Sequence, residues 1–98
     1  MRRGLVYQRA DVRFASLVCV ISNDVFNSAG GHVIVVPVLP VADDEAHAVA
    51  YGTDHPVKGT LVGSLVQWLP AVALGDPVGE VDTSTLDSVV GSLVAAIS

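Results

Sequence analysis

Four arginines crowd the first thirteen residues, Arg2, Arg3, Arg9 and Arg13, against Asp11 alone, whereas the remainder holds Lys58 against nine acids. A guanidinium is planar, permanently charged and able to grip a phosphate through two parallel N–H bonds, so Arg9 and Arg13, close together on one polar stretch, are candidates for contacting a phosphodiester. Exposed arginines are common, and a solvated loop role is the simpler account of the same two residues. Three histidines, His32, His47 and His55, titrate in the range useful for proton transfer, but their spacing matches neither a metal site nor a catalytic triad. His32 suits a strand start, and His55 before Pro56 suits a turn. The single cysteine, Cys19, lies inside the apolar run Leu17–Ile21 and reads as a buried structural thiol. Three adjacent acids, Asp43, Asp44 and Glu45, rarely converge on one ion and read as a solvated loop. Ser22 and Asn23 follow an apolar run directly, where their side chains could bond the backbone of a tight turn or reach outward to a ligand.

A formal charge of −5 excludes broad phosphate-driven binding to nucleic acid and leaves room only for a small basic site. Half the residues are apolar and 15% are charged, too hydrophobic a balance for a disordered chain. Some of that apolar surface is expected to be hidden in a second copy, as a homodimer. The longest apolar runs, Leu17–Ile21 and Val33–Val41, fall well short of the roughly 18 residues a membrane helix needs, so no membrane association is expected. Gln8, Arg9, Asp11 and Arg13 interrupt the apolar stretch that export would require, which points to the cytoplasm. With 98 residues, the expectation is one domain over 1–98.

These residues must be positioned by elements the pattern also reveals. Gly4–Gln8 and Leu17–Ile21 read as strands joined by a polar loop from Arg9 to Ser16. Ser22-Asn23-Asp24 marks a turn, Val25 and Phe26 a short helical or turn segment, and Asn27–Gly31 a second break. His32–Val38 is the strongest strand, with Pro37 implying an edge position or a bulge. Ala48–Tyr51, Thr60–Leu69 and Pro77–Val81 follow as further strands, and Trp68 falls where a core or dimer-interface aromatic is expected. From Asp82 the period changes. Leu86, Val89, Val90, Leu93, Val94 and Ile97 share one stripe of an α-helix, with Asp82 or a Ser84/Asp87 capping box at its start. Many short strands and one amphipathic C-terminal helix suggest a mainly β chain, a small curved antiparallel barrel.

Specific blocks add to this. Arg3-Gly4 with Val6-Tyr7, the run Val18–Asn27, Val33–Val38, and Gly79-Glu80-Val81 before the helix resemble the MazF/PemK toxin family in order and approximate spacing. The stretch Ser22–Asn27 after a buried strand carries most of the specificity, and the likeness runs over nearly the whole chain. The resemblance implies an SH3-like antiparallel barrel of the CcdB/PemK type, forming homodimers and serving as the toxin of a type II toxin–antitoxin pair. It further implies metal-independent cleavage of single-stranded RNA, with no cofactor, and a cognate antitoxin whose acidic C-terminal tail covers the RNA groove. The chain departs from the pattern where the family carries its catalytic groups. Ser16-Leu17 replaces a basic residue followed by proline, Leu39 replaces a threonine, and Ser64-Leu65 replaces acidic or amide residues.

Metal-free RNA cleavage requires a proton acceptor, a proton donor and fixed positive charge at the phosphorus. With Ser16 unable to provide the charge, Arg13 and Arg9 become the candidate catalytic residues, and Ser22, Asn23 and Ser16 the candidate substrate contacts. The alternative is a catalytically inactive module of the same fold that binds a protein target or the antitoxin.

Overall fold

The computed structural model describes residues 2–12, 16–40 and 49–98. Seven strands, β1 (Leu5–Arg9), β2 (Leu17–Val20), β3 (His32–Leu39), β4 (Ala50–Thr53), β5 (Gly59–Val62), β6 (Gln67–Pro70) and β7 (Leu74–Glu80), form one antiparallel sheet ordered β4-β5-β3-β2-β1-β7, with β6 also pairing β3. Among the described residues β4 and β7 do not pair, so the sheet is not closed into a full barrel. Two helices complete the chain, α1 (Asp24–Gly30) and α2 (Thr83–Ile97).

Both faces of the central strands are buried, which is why their sequences read as continuous apolar runs rather than as alternation. Val6, Cys19, Val36, Val38 and Leu61 line one face with Val81, Leu86 and Val89. Tyr7, Val18, Val20, Val33 and Val35 line the other with Leu69, Ala73 and Leu74. Successive residues of β1, β2 and β3 thus serve two cores, each buried Val or Leu contributing about 1.5–3 kcal/mol of transfer free energy. Gly59 permits close approach of β5 to β3, since a Cβ there would stand 2.7 Å from the Leu39 carbonyl oxygen.

Strand β3 is central, not an edge, and its proline has a local explanation. The Ile21 N–H donates to the Ile34 carbonyl at 2.9 Å, so the polar groups of Ile34, Val36 and Val38 face β2, and those of Val35 and Pro37 face the opposite side. On that side β6 pairs β3 only as far as Val35, and β5 takes over at Val38. Pro37 sits in the gap between them, where no ladder bond needs its missing N–H. The same gap divides the expected strand Thr60–Leu69. Its chain pairs as β5, turns through a 3-10 segment at Gly63–Leu65, and returns as β6. The strands expected at Ala48–Tyr51 and Pro77–Val81 lie instead at Ala50–Thr53 and Leu74–Glu80.

The segment Asn27–Gly31, expected to break the chain, continues α1 and ends it. Asn23 caps the helix by accepting the Phe26 N–H at 2.8 Å, and Gly31 stops it in the left-handed conformation at φ 71°. In α2 the apolar stripe is used unevenly. Leu86 and Val89 are buried, Val90 and Leu93 pack partly against the first core, and Val94 and Ile97 are exposed. Asp82 is the N-cap, while Asp87 pairs with Arg3 at 3.5 Å. Tyr51 and Ser92 join β4 to α2 through a 2.5 Å hydroxyl pair. No helix among the described residues is long and apolar enough to cross a membrane.

Candidate functional site

The end of the sheet where β1, β2 and β3 meet gathers the positions at which the chain departs from the family pattern. Arg9 is the last residue of β1 and not part of the loop, as the sequence suggested. Its N–H donates to the Ser16 carbonyl at 2.8 Å, and the Ala10 N–H donates to the Ala73 carbonyl at 2.7 Å, which fastens the strand end on both sides. The register Leu17↔Val38 brings Ser16 in beside Leu39, and Leu39 pairs onward with Thr60. The 3-10 turn then carries Ser64 and Leu65 to the same place. Together Arg9, Ser16, Leu39, Ser64, Leu65 and Gln67 border an open cavity of about 550 Å³, with Val18 and Pro37 in its wall.

Arg9 is the only charged residue lining this cavity among the described residues, and its side chain is 18% exposed. It is already engaged: Nε donates to Asp11 Oδ1 at 2.9 Å and Nη2 to Asp11 Oδ2 at 2.8 Å, a fork-on-fork pair. That hydrogen bonding holds the guanidinium above its ordinary pKa and the Asp11 carboxyl below the usual carboxylate value. The remaining polar groups of the lining are the hydroxyls of Ser16 and Ser64 and the amide of Gln67, which hydrogen-bond without titrating near neutral pH. The arrangement can therefore orient and charge-stabilise an anion more readily than it can move protons. Among the described residues no group of three His, Cys, Asp or Glu side chains converges as metal ligands would.

The other candidates lie elsewhere. Ser22 is buried at the end of β2, 12 residues from its partner: its Oγ accepts the Ile34 N–H at 3.0 Å and is bonded to Asn27 Oδ1, while Asn27 Nδ2 donates back to the Ser22 carbonyl at 3.1 Å. Asn23 is exposed, with its oxygen committed to the α1 cap. Ser22 and Asn23 are thus brought together with one another but not with Arg9 and Ser16. Arg13, His47 and the acidic run Asp43–Glu45 lie outside the described residues. His32 is exposed, its Nδ1 3.2 Å from the Gly30 carbonyl oxygen, and His55 is an exposed turn residue. Cys19 is buried, and loss of hydration pushes its thiol up to about 12. Gln67 and Asp11 were not singled out by sequence. The visible signal for Asp11 was an opposite charge two residues beyond an arginine at a strand end.

Trp68, expected in a core or an interface, is not in a core: it is 64% exposed and meets Phe26 edge to face at 5.5 Å between ring centres. It also borders an uncharged groove of about 410 Å³ formed with Ile21, Ser22, Ile34, Val66, Val90, Leu93, Val94 and Ile97. Val66 lines both this groove and the Arg9 cavity.

Comparison with known proteins accords with this geometry. Residues 4–97 match the family model described as the type II toxin–antitoxin system toxin Rv0299. Toxin Rv0299 of Mycobacterium tuberculosis (strain ATCC 25618 / H37Rv) is 34% identical over 85 residues, which cover 85% of this chain and 84% of that protein. Among solved structures, an endoribonuclease in complex with its cognate antitoxin from a mycobacterial species superposes with a TM-score of 0.81 at 26% identity, over 99% of this chain and 92% of its own. The MazE–MazF complex of Deinococcus radiodurans (Form-III) gives 0.78 at 17% identity, over 98% and 93%, a likeness of fold. Matched over almost its whole length, the chain belongs to the Rv0299 family of type II toxin–antitoxin system toxins.

Proposed function

We propose that this toxin acts on single-stranded RNA, by metal-independent phosphodiester cleavage, at the open cavity that Arg9 borders. The observation that carries this reading is the convergence on one cavity of Arg9 with Ser16, Leu39, Ser64 and Leu65, the positions where the family resemblance locates catalytic groups. A mycobacterial structural neighbour described as an endoribonuclease supports it. Arg9 and Arg13 are the proposed source of positive charge at the scissile phosphate, replacing the basic residue lost at Ser16. Ser16 contributes hydrogen bonds to the bound strand; Ser22 and Asn23 support the turn at its distance. A cognate antitoxin is the expected protein partner, since that neighbour was solved with its own. The uncharged groove beside Trp68, with Val94 and Ile97 exposed on α2, supports pairing with a second copy in a cytoplasmic homodimer.

The second reading is a binding module without catalysis, favoured by one feature: no carboxylate or imidazole lines the cavity among the described residues. Incubation of the purified protein with long single-stranded RNA in EDTA separates the two. Cleavage that is abolished by Arg13→Ala or Arg9→Gln supports the nuclease. Intact RNA at stoichiometric protein, with antitoxin binding retained, supports the module.

A further inference from the structure

We propose that Asp11 is a built-in anionic competitor for Arg9, occupying the guanidinium edge that a nucleic-acid phosphate takes and leaving it when a strand binds. This rests on the reading of Arg9 as a phosphate contact. The Nε–Nη2 edge is one of the two edges on which a guanidinium receives an oxyanion through parallel bonds, and both of its donors are taken by Asp11, at 2.9 and 2.8 Å. The two partners differ in how firmly they are held. Arg9 belongs to a strand bonded on both sides and its side chain is 18% exposed, whereas Asp11 lies beyond the strand end and its side chain is 38% exposed. Asp11 can therefore swing into solvent while the guanidinium stays at the cavity wall.

The consequence is selectivity. An isolated small anion meets a cation that is already neutralised and gains little by exchanging one oxyanion for another. A single strand gains in addition from the hydroxyls of Ser16 and Ser64, from the Gln67 amide and from neighbouring phosphates, so a polyanion displaces Asp11 where a lone anion does not. On a protein with a net charge of −5, such a contact confines binding to one cavity and to ligands that fill it.

Fluorescence anisotropy with a labelled single-stranded DNA oligonucleotide, which keeps the phosphates and lacks the reactive 2′-hydroxyl, tests this in EDTA over a range of KCl. The proteins are the parent, Asp11→Asn, Arg9→Gln and the double variant, each checked for fold by circular dichroism. Asp11→Asn is expected to tighten binding about three- to tenfold in the parent and to leave it unchanged in the Arg9→Gln background, a coupling that marks a direct contact. Its logarithmic salt slope should stay at the parent value, because Arg9 makes the same phosphate contact in both complexes, whereas Arg9→Gln should flatten the slope by about 0.7, the release expected for one phosphate contact on a single strand. Weaker binding by Asp11→Asn, or equal tightening in both backgrounds, overturns the competitor role while leaving Arg9 as a contact. Parent-like binding by Arg9→Gln overturns the reading of Arg9 itself.

Discussion

The turn after β2 and the rim after β1 each hold polar side chains at a strand end, yet they spend them differently. At the turn, the Ser22 hydroxyl and the Asn27 amide bond to one another and to the backbone of Ser22 and Ile34, and Asn23 caps α1. At the rim, Arg9, Ser16, Ser64 and Gln67 face an open cavity, and the charged member is balanced by a carboxylate just beyond the strand end. A buried polar group must be satisfied internally because an unmet bond costs more than a made one gains. The rim escapes that constraint by staying wet. The block of sequence that most strongly signals the family is thus a structural joint, and the proposed chemistry lies at the less distinctive end.

The largest effect should come from the core that both regions share. Leu61 is fully buried between β4 and β3, and Leu61→Ala is expected to lose about 2–5 kcal/mol in urea unfolding. A loss within about 0.5 kcal/mol, typical of surface changes, would show that the sheet does not rest on that face. Leu93, half-buried on α2, should cost less than Leu61 when shortened to alanine.

Next is the turn itself. Ser22→Ala removes the acceptor of the Ile34 N–H, which should destabilise by about 1–3 kcal/mol while oligonucleotide affinity stays at the parent value. A stable Ser22→Ala protein with weakened binding would reverse the assignment of the two regions.

The smallest effect is alkaline. Burial raises the Cys19 thiol from 9.0 to about 12, so between those values the unfolded chain has released a proton that the folded chain retains. The unfolded state then binds fewer protons, and stability falls as pH rises from 9 towards 12. Cys19→Ala should flatten that dependence, measured by urea midpoints at pH 8 and pH 10, against a baseline shared with the parent. An unchanged pH slope would show that the thiol is hydrated.

Much of this architecture was legible in sequence because local chemistry and global packing agree. The two-sided burial of β2 and β3 follows from their β-branched runs, and α2 from its stripe of Leu86, Val89 and Val90. What escaped depends on contacts distant in the chain. Pro37 looked like an edge marker because sequence cannot show that β6 and β5 share one side of β3 with a gap between them. Trp68 looked like core because its neighbours are apolar, whereas Phe26 and α2 leave it standing at the surface. At the site, Arg9 and Ser16 were visible as candidates. Gln67 was not, since only the 3-10 turn at Gly63–Leu65 carries that segment round to the rim.

The central claim is that the rim and not the turn handles the substrate, and the rate of RNA cleavage in EDTA by Arg9→Gln beside Ser22→Ala tests it most directly. Removal of a charge-stabilising donor of this kind typically lowers turnover by about 100- to 1,000-fold, and Arg9→Gln is expected to fall in that range. Ser22→Ala, assayed where it remains folded, should cleave at the parent rate. Parent-like cleavage by Arg9→Gln together with a collapse in folded Ser22→Ala would contradict the account.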